Sequence, residues 1–230
     1  MIAFTLLLLP GVPATGRGPQ DEPARVAALD GVELTGYRAF RRMHAVNEKF
    51  DQEAWLDAWT ELDEHGFRFR IVSERGSEYV RSRVLRKLLE REQELIAEGG
   101  AHRAAISAEN YDFRESPASA DGLRRILLKP RRKDILLIDG RMILNEDGTE
   151  LLRVEGRLSK NPSFWTSLVN VIREFATLDG VRVPVSTESI AKLKFAGTSR
   201  MVVRYEYETI NGRPVNRIAA RGIPTPSLSR

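Results

Sequence analysis

The stretch Asp134-Ile-Leu-Leu-Ile-Asp-Gly140-Arg-Met-Ile-Leu-Asn-Glu-Asp-Gly148-Thr-Glu-Leu-Leu-Arg-Val-Glu-Gly156 decides the fold class. Short apolar runs are separated by Asp-Gly at 139–140 and again at 147–148, the dipeptide that fits hairpin turns needing positive φ between twisted strands. The spacing predicts strands near 134–139, 141–146 and 149–158. Working outward, strands are expected near 123–129, 165–177, 181–185, 188–196 and 200–209. Gly180, Pro184 and Gly197 punctuate them, and Asn211-Gly212 ends the series. From Leu123 to Gly212 the chain therefore reads as consecutive antiparallel hairpins. Such a scaffold suits binding better than turnover.

Upstream, the pattern changes. Phe67, Phe69 and Ile71 alternate with Arg68, Arg70 and Val72, as in a half-buried strand. Ser77 then suits a helix N-cap, and Val80, Val84, Leu85, Leu88, Leu89, Leu95 and Ile96 form a helical stripe that Gly99-Gly100 stops. Glu92 interrupts this stripe. A helix over 77–98 is about 30 Å long, enough to cross several strands. Residues 37–63 fit two readings, a helix through Ala39, Met43, Val46 and Phe50 or two strands joined near Asp51-Gln52, and periodicity does not separate them. Asn110 to Phe113 reads as a short strand.

The whole chain of 230 residues suits one β-rich domain. Hydrophobic residues at 42 % and charged residues at 30 % are those of a folded protein rather than a disordered one. The formal charge of +4, from 36 basic and 32 acidic residues, is too small an excess for a nucleic-acid binder. Ile2 to Leu9 is apolar but far too short to span a bilayer, and with Val12-Pro-Ala14 it reads as an export leader. No Lys or Arg precedes that run, so the true start codon or an apolar N-terminus of another kind stays open. Residues 15–35 read as a linker and 214–230 as a mostly disordered tail. Cysteine is absent, which removes disulfides and lipid anchoring. A periplasmic or secreted location is expected, with no lipid anchor.

Catalytic signatures are missing. There is no Gly-x-Ser-x-Gly, P-loop, dinucleotide fingerprint or His-Glu-x-x-His, and His44, His65 and His102 are scattered. Asp139 and Asp147 are accounted for by the turns they precede. No enzyme, cofactor or metal is expected. Two other features can bind. Arg124, Arg125, Lys129, Arg131, Arg132 and Lys133 cluster around Pro130, either to dock an anionic partner or to blunt a sheet edge. Trp55, Trp59, Phe67, Phe69 and Trp165 can line one face of a sheet opposite Val84, Leu88 and Leu89 of the helix, enclosing either a filled core or an apolar guest.

Several segments carry a family resemblance: 76–85 leading into the helix, Lys129-Pro-Arg-Arg-Lys-Asp134, Val154-Glu-Gly-Arg-Leu158, Pro162-Ser-Phe-Trp165, Gly180-Val-Arg-Val-Pro184 and Tyr205-Glu-Tyr207. Over residues 36–213 the chain resembles the LolA-like periplasmic lipoprotein carriers, the outer-membrane lipoprotein-sorting superfamily. The resemblance implies a mainly β (α+β) fold, a strongly curved antiparallel half-barrel with a long helix packed as a lid on its concave face. It implies that 37–63 forms strands. It also implies a lid tied by a sheet arginine, to which no local motif assigns a position here. The expected function is that of a soluble carrier of lipid or lipoprotein acyl chains, held between sheet and lid. Peripheral membrane contact or an envelope protein partner fits this reading, and nucleic acid does not. The alternative is a sensor or protein-interaction module with a filled core.

Overall fold

The computed structural model describes residues 32–117 and 120–215. The expected leader, residues 15–31 of the expected linker and the tail beyond 215 lie outside the described residues. Residues 32–35 carry no regular element. Leu34 is buried there, and the Val32 amide donates to the Gly180 carbonyl.

The strands are β1 (Tyr37–Asn47), β2 (Gln52–Asp63), β3 (Gly66–Gly76), β4 (Tyr111–Glu115), β5 (Arg124–Pro130), β6 (Ile138–Leu144), β7 (Leu151–Leu158), β8 (Thr166–Leu178), β9 (Val181–Leu193), β10 (Gly197–Ile210) and β11 (Arg213–Pro214). They form one antiparallel, curved, open sheet in the order β3-β2-β1-β10-β9-β8-β7-β6-β5-β4, with β11 paired to β10. Between β3 and β4 runs one long helix, α1. It comprises Glu78–Val80, a π-helical turn Arg81–Leu85 and Arg86–Ala97. A short helix, α2 (Ala101–Ala104), follows. The fold class is the expected one, and residues 37–63 are strands joined by the 3-10 turn Glu48–Phe50.

Helix α1 sits over β1, β2 and β3. Alternation explains how. Ala39, Ala45, Ala54 and Ala58 point to the helix side of β1 and β2, all buried. Their small side chains leave room for Leu85, Leu88 and Leu89, which are almost completely buried. Burial of a leucine stabilises by roughly 1.5–3 kcal/mol, so these three anchor the helix. Ser77 caps it as expected, accepting from the Val80 amide, and Gly99 adopts φ 65° at its end.

Residues 134–137 are loop rather than strand, and the two Asp-Gly pairs that follow play different parts. Asp147-Gly148 is a turn: Gly148 has φ 72°, and the Asn145 side chain accepts from the amides of Thr149 and Glu150. Asp139-Gly140 is not a turn, because both residues lie inside β6 and Gly140 stands opposite Gly156 of β7. A Cβ at 140 would lie 2.0 Å from the Glu155 carbonyl oxygen. This glycine therefore serves close approach of two strands rather than chain reversal. Asp139 is held instead by Lys129 at 2.9 Å. Likewise 181–185 and 188–196 do not form two strands; Val181–Leu193 is one strand. A bulge faces Glu174–Phe175, and it accommodates Pro184, which cannot donate to the ladder.

Candidate functional site

Two features share the space between helix and sheet. The first is an ion pair. Arg41, on the helix-facing side of β1, donates to both carboxylate oxygens of Glu92 on α1, at 2.6 and 2.9 Å, and to the Tyr37 hydroxyl at 2.6 Å. Both charged side chains are at most 1 % exposed. The guanidinium lies 5.1 Å from the Phe67 ring and 4.9 Å from the Tyr205 ring, so β3 and β10 wall the pair on two sides. Burial alone would lower the Arg41 pKa, but the Glu92 carboxylate together with the Tyr37 and Tyr205 phenols outweighs it and holds the guanidinium above its ordinary value. Burial pushes the phenols of Tyr37, Tyr205 and Tyr207 up. The guanidinium thus keeps its charge in an apolar setting, and its bidentate contact with Glu92 latches the helix to the sheet.

The interruption by Glu92 of the stripe is explained by this contact. Neither Arg41 nor Glu92 was singled out as a site by the sequence. The available signals were an acid on the buried side of an amphipathic helix and an arginine at an inward parity of a strand. Pairing them required the strand register.

A second tie joins α1 to the sheet's end strand. Arg86 donates through Nε at 2.7 Å and through Nη2 to Glu74 of β3. The Arg86 hydrogen bond outweighs burial and holds the Glu74 carboxyl below its ordinary 4.5. Because the folded value is lowered, the tie contributes fully above the ordinary value and is lost as pH falls through the lowered one. Hydrogen-exchange protection of 86–89, followed from about pH 6 to about pH 3, should fall at the acid end. In Glu74→Gln that acid-dependent step should vanish; an unchanged acid response in this variant would remove Glu74 as its cause.

The second feature is a cavity of about 660 Å³ at the N-terminal end of α1. Val80 and Val84 of the helix face Ala45 and Met201 of β1 and β10, with Leu193 of β9 beside them. Phe50 and Tyr79, both exposed, stand at its rim. Its size falls within the roughly 300–1,000 Å³ of small-ligand sites. The space under α1 is therefore divided. It is packed around Leu85, Leu88 and Leu89, and open beyond Val84.

The expected ligand-facing residues separate into three groups. Phe67 and Phe69 of β3 face the helix, and Val84, Leu88 and Leu89 face the sheet, but of these five only Val84 lines the cavity. Trp55 and Trp59 do not face the helix. They stand at the parity opposite Ala54, Leu56 and Ala58, and hence on the convex face. There Trp55 stacks on His44 at 4.8 Å under Arg75, and Trp59 packs on Phe40 under Arg38. A residue's size suggested burial; strand parity decided otherwise. Trp165 is also absent from the interior. It precedes β8 at a loop tip and is 54 % exposed.

The basic cluster is largely neutralised within the protein. Arg124 pairs with Glu115, Arg125 with Asp121, Lys129 with Asp139, and Arg131 with Asp112. Arg132 donates to Asn110 and to the Arg103 carbonyl and lies 3.6 Å from Asp134. Among the described residues, only Lys133 of the six has no such partner. The cluster thus acts as a belt of cross-strand contacts along β4, β5 and β6. Among the described residues, no three His, Cys, Asp or Glu side chains come together as a metal site would require, and no helix is long and apolar enough to cross a membrane.

Fold and site together define an open antiparallel sheet with a latched helix on its concave face and a largely apolar cavity at one end. No protein-family model matches the chain, and no curated protein matches it. Among solved structures, a DUF1329 family protein from Desulfovibrio piger is similar over 81 % of this chain and 89 % of that one, with 10 % sequence identity and a TM-score of 0.37.

Proposed function

We propose that the protein binds an apolar chain, a lipid or the acyl chains of a lipoprotein, in the cavity between α1 and the sheet, and carries it as a soluble complex outside the cytoplasm. The observation that carries this reading is the cavity beyond Val84, lined mainly by apolar side chains, with Asn47, Gln52, Arg83, Ser199 and Arg200 as its polar members and Phe50 and Tyr79 at its rim. The family resemblance of the sequence supports it, since carriers of that superfamily bind acyl chains between sheet and helical lid. The Arg41–Glu92 latch supplies what such a lid needs, a fixed seat from which the first turns of α1 can move. Each buried methylene would contribute about 0.8 kcal/mol, so the affinity should rise with the length of acyl chain the cavity takes in. No step of this reading uses a cofactor.

Native mass spectrometry of protein taken gently from producing cells should show a fraction carrying the added mass of a lipid or acyl group. Purified protein should also take up an acylated probe. Val84→Trp, which fills the cavity from the helix side, should reduce that uptake strongly while the fold persists. A uniformly apo mass together with no uptake of acylated probes would overturn the reading. In that event the alternative, an interaction module on the same fold, would take its place.

A further inference from the structure

Three loop tips meet beside the cavity mouth, and each presents aromatic side chains to solvent. Phe50 sits in the turn between β1 and β2, Phe164 and Trp165 precede β8, and Phe195 lies in the β9–β10 hairpin. All four are more than half exposed, Phe164 reaching 76 %. Singly exposed apolar residues are ordinary on a protein surface. Three of these are contiguous. Phe164 packs on Trp165 with centroids 5.5 Å apart, and Trp165 on Phe195 at 5.6 Å. Lys49 donates to the Phe195 carbonyl at 2.7 Å, which joins the β1–β2 turn to the same group.

The tips are held in place rather than loosely exposed. Asn47 donates to the Ala196 carbonyl at 2.9 Å and to Ser199 at 2.7 Å, stapling one hairpin to the next. The Lys194 amide donates to the Trp165 carbonyl at 2.9 Å, and Thr166 donates to the Ser163 carbonyl. A fixed aromatic platform of this kind exposes apolar area at no benefit to folding, so it calls for an occupant.

The charges specify which. Lys49, Lys192 and Lys194 are all exposed, and none pairs with a carboxylate among the described residues. Lys194 lies 3.7 Å from the Phe164 ring centroid. Over residues 47–52, 159–167 and 192–200 the cations are Lys49, Lys160, Lys192, Lys194 and Arg200, against the carboxylates Glu48 and Asp51. Arg200 is engaged by Glu188. Trp and Phe tipped into the headgroup level, with lysine stems lying along the apolar body and their ammonium groups in the polar layer, is the pattern of a water–lipid interface.

We propose that this aromatic–lysine platform docks the protein on the surface of an anionic bilayer, which seats the cavity mouth against the lipid. Docking does not depend on the cavity holding a cargo, so the two readings can fail separately. The chain has no cysteine, which permits a clean test. An environment-sensitive NBD label is attached through Phe164→Cys in the full chain, and a second preparation carries it through Asp147→Cys, on the β6–β7 turn at the opposite end of the strands. With vesicles of phosphatidylcholine and phosphatidylglycerol, the label at 164 should brighten several-fold and shift to the blue. The label at 147 should stay unchanged. Vesicles of phosphatidylcholine alone should give a weaker response, as should raised salt. Combined Lys49→Gln, Lys192→Gln and Lys194→Gln should weaken the response at 164 on the anionic vesicles. Equal responses at 147 and 164, or none at 164, would overturn the proposal, and the second result would leave the platform to a protein partner. Retained uptake of an acylated probe in the same preparation would show that docking alone had failed.

Discussion

Glu92→Leu should lower the free energy of unfolding by about 3–5 kcal/mol, because it leaves the Arg41 guanidinium charged and buried with the Tyr37 hydroxyl as its remaining partner. Adding Arg41→Met should return most of that loss. Replacing a buried ion pair by apolar side chains of similar volume is often neutral or stabilising, by about 1–4 kcal/mol. Urea unfolding at constant m-value reads both changes as shifts in the midpoint. A single variant within about 1 kcal/mol of the wild type would mean that water reaches Arg41, against its near-complete burial. The expected pattern says what the pair is for. Its net worth over a greasy contact is small, while its bidentate geometry admits only one seating of α1 on β1. Leu85, Leu88 and Leu89 hold the helix down; Arg41 and Glu92 say where.

Gly140→Ala should destabilise the protein by about 1–3 kcal/mol or more, although the substitution adds a single methyl group on an otherwise favourable strand position. The added Cβ would lie 2.0 Å from the Glu155 oxygen and 2.6 Å from the Gly156 Cα, both backbone atoms that cannot rotate away. For a chain of this size the melting temperature should fall by roughly 2–12 °C. Asp139→Ala, one residue earlier, removes contacts to Lys129 and Arg157 on a partly exposed surface and should cost within about 1 kcal/mol. If Gly140→Ala melted with the wild type, β6 and β7 would have to slide apart without cost, and the close glycine pairing would have no structural role.

What the sequence disclosed follows from which forces are local. Turn chemistry at Asp147-Gly148 and the stripe of α1 depend on neighbours within a few residues, and both were legible. Asp139-Gly140 carried the same dipeptide, but its glycine answers to β7, sixteen residues on, so local chemistry misassigned it. Trp55 and Trp59 show the same limit in another form. A strand's two faces are equivalent in sequence until one knows where the helix lies, and cation-covered aromatics on the convex face look like core. The latch was hidden in plain residues. Glu92 was visible as a fault in an apolar stripe, whereas Arg41 is one arginine among many until β1 is placed under α1. Charge in the 124–133 segment was legible, but most of its neutralisation was not, since Glu115, Asp112 and Asp139 reach it only through the pairing of β4, β5 and β6, whereas Asp121 meets Arg125 locally.

The interior position of β1, between β2 and β10, has a consequence for how the chain comes into being. Its register partners are β2, synthesised immediately after it, and β10, whose first residue follows about 150 positions later. At ribosomal rates of roughly 5–20 residues per second, one long side of β1 waits about 8–30 s for its neighbour. Tyr205, which walls the Arg41–Glu92 pair, arrives with that same late strand. The nascent chain therefore holds an unpaired strand and a half-walled ion pair until β10 has been made. Such a polypeptide stays soft while β4 to β9 are being made and hardens when β10 slots in.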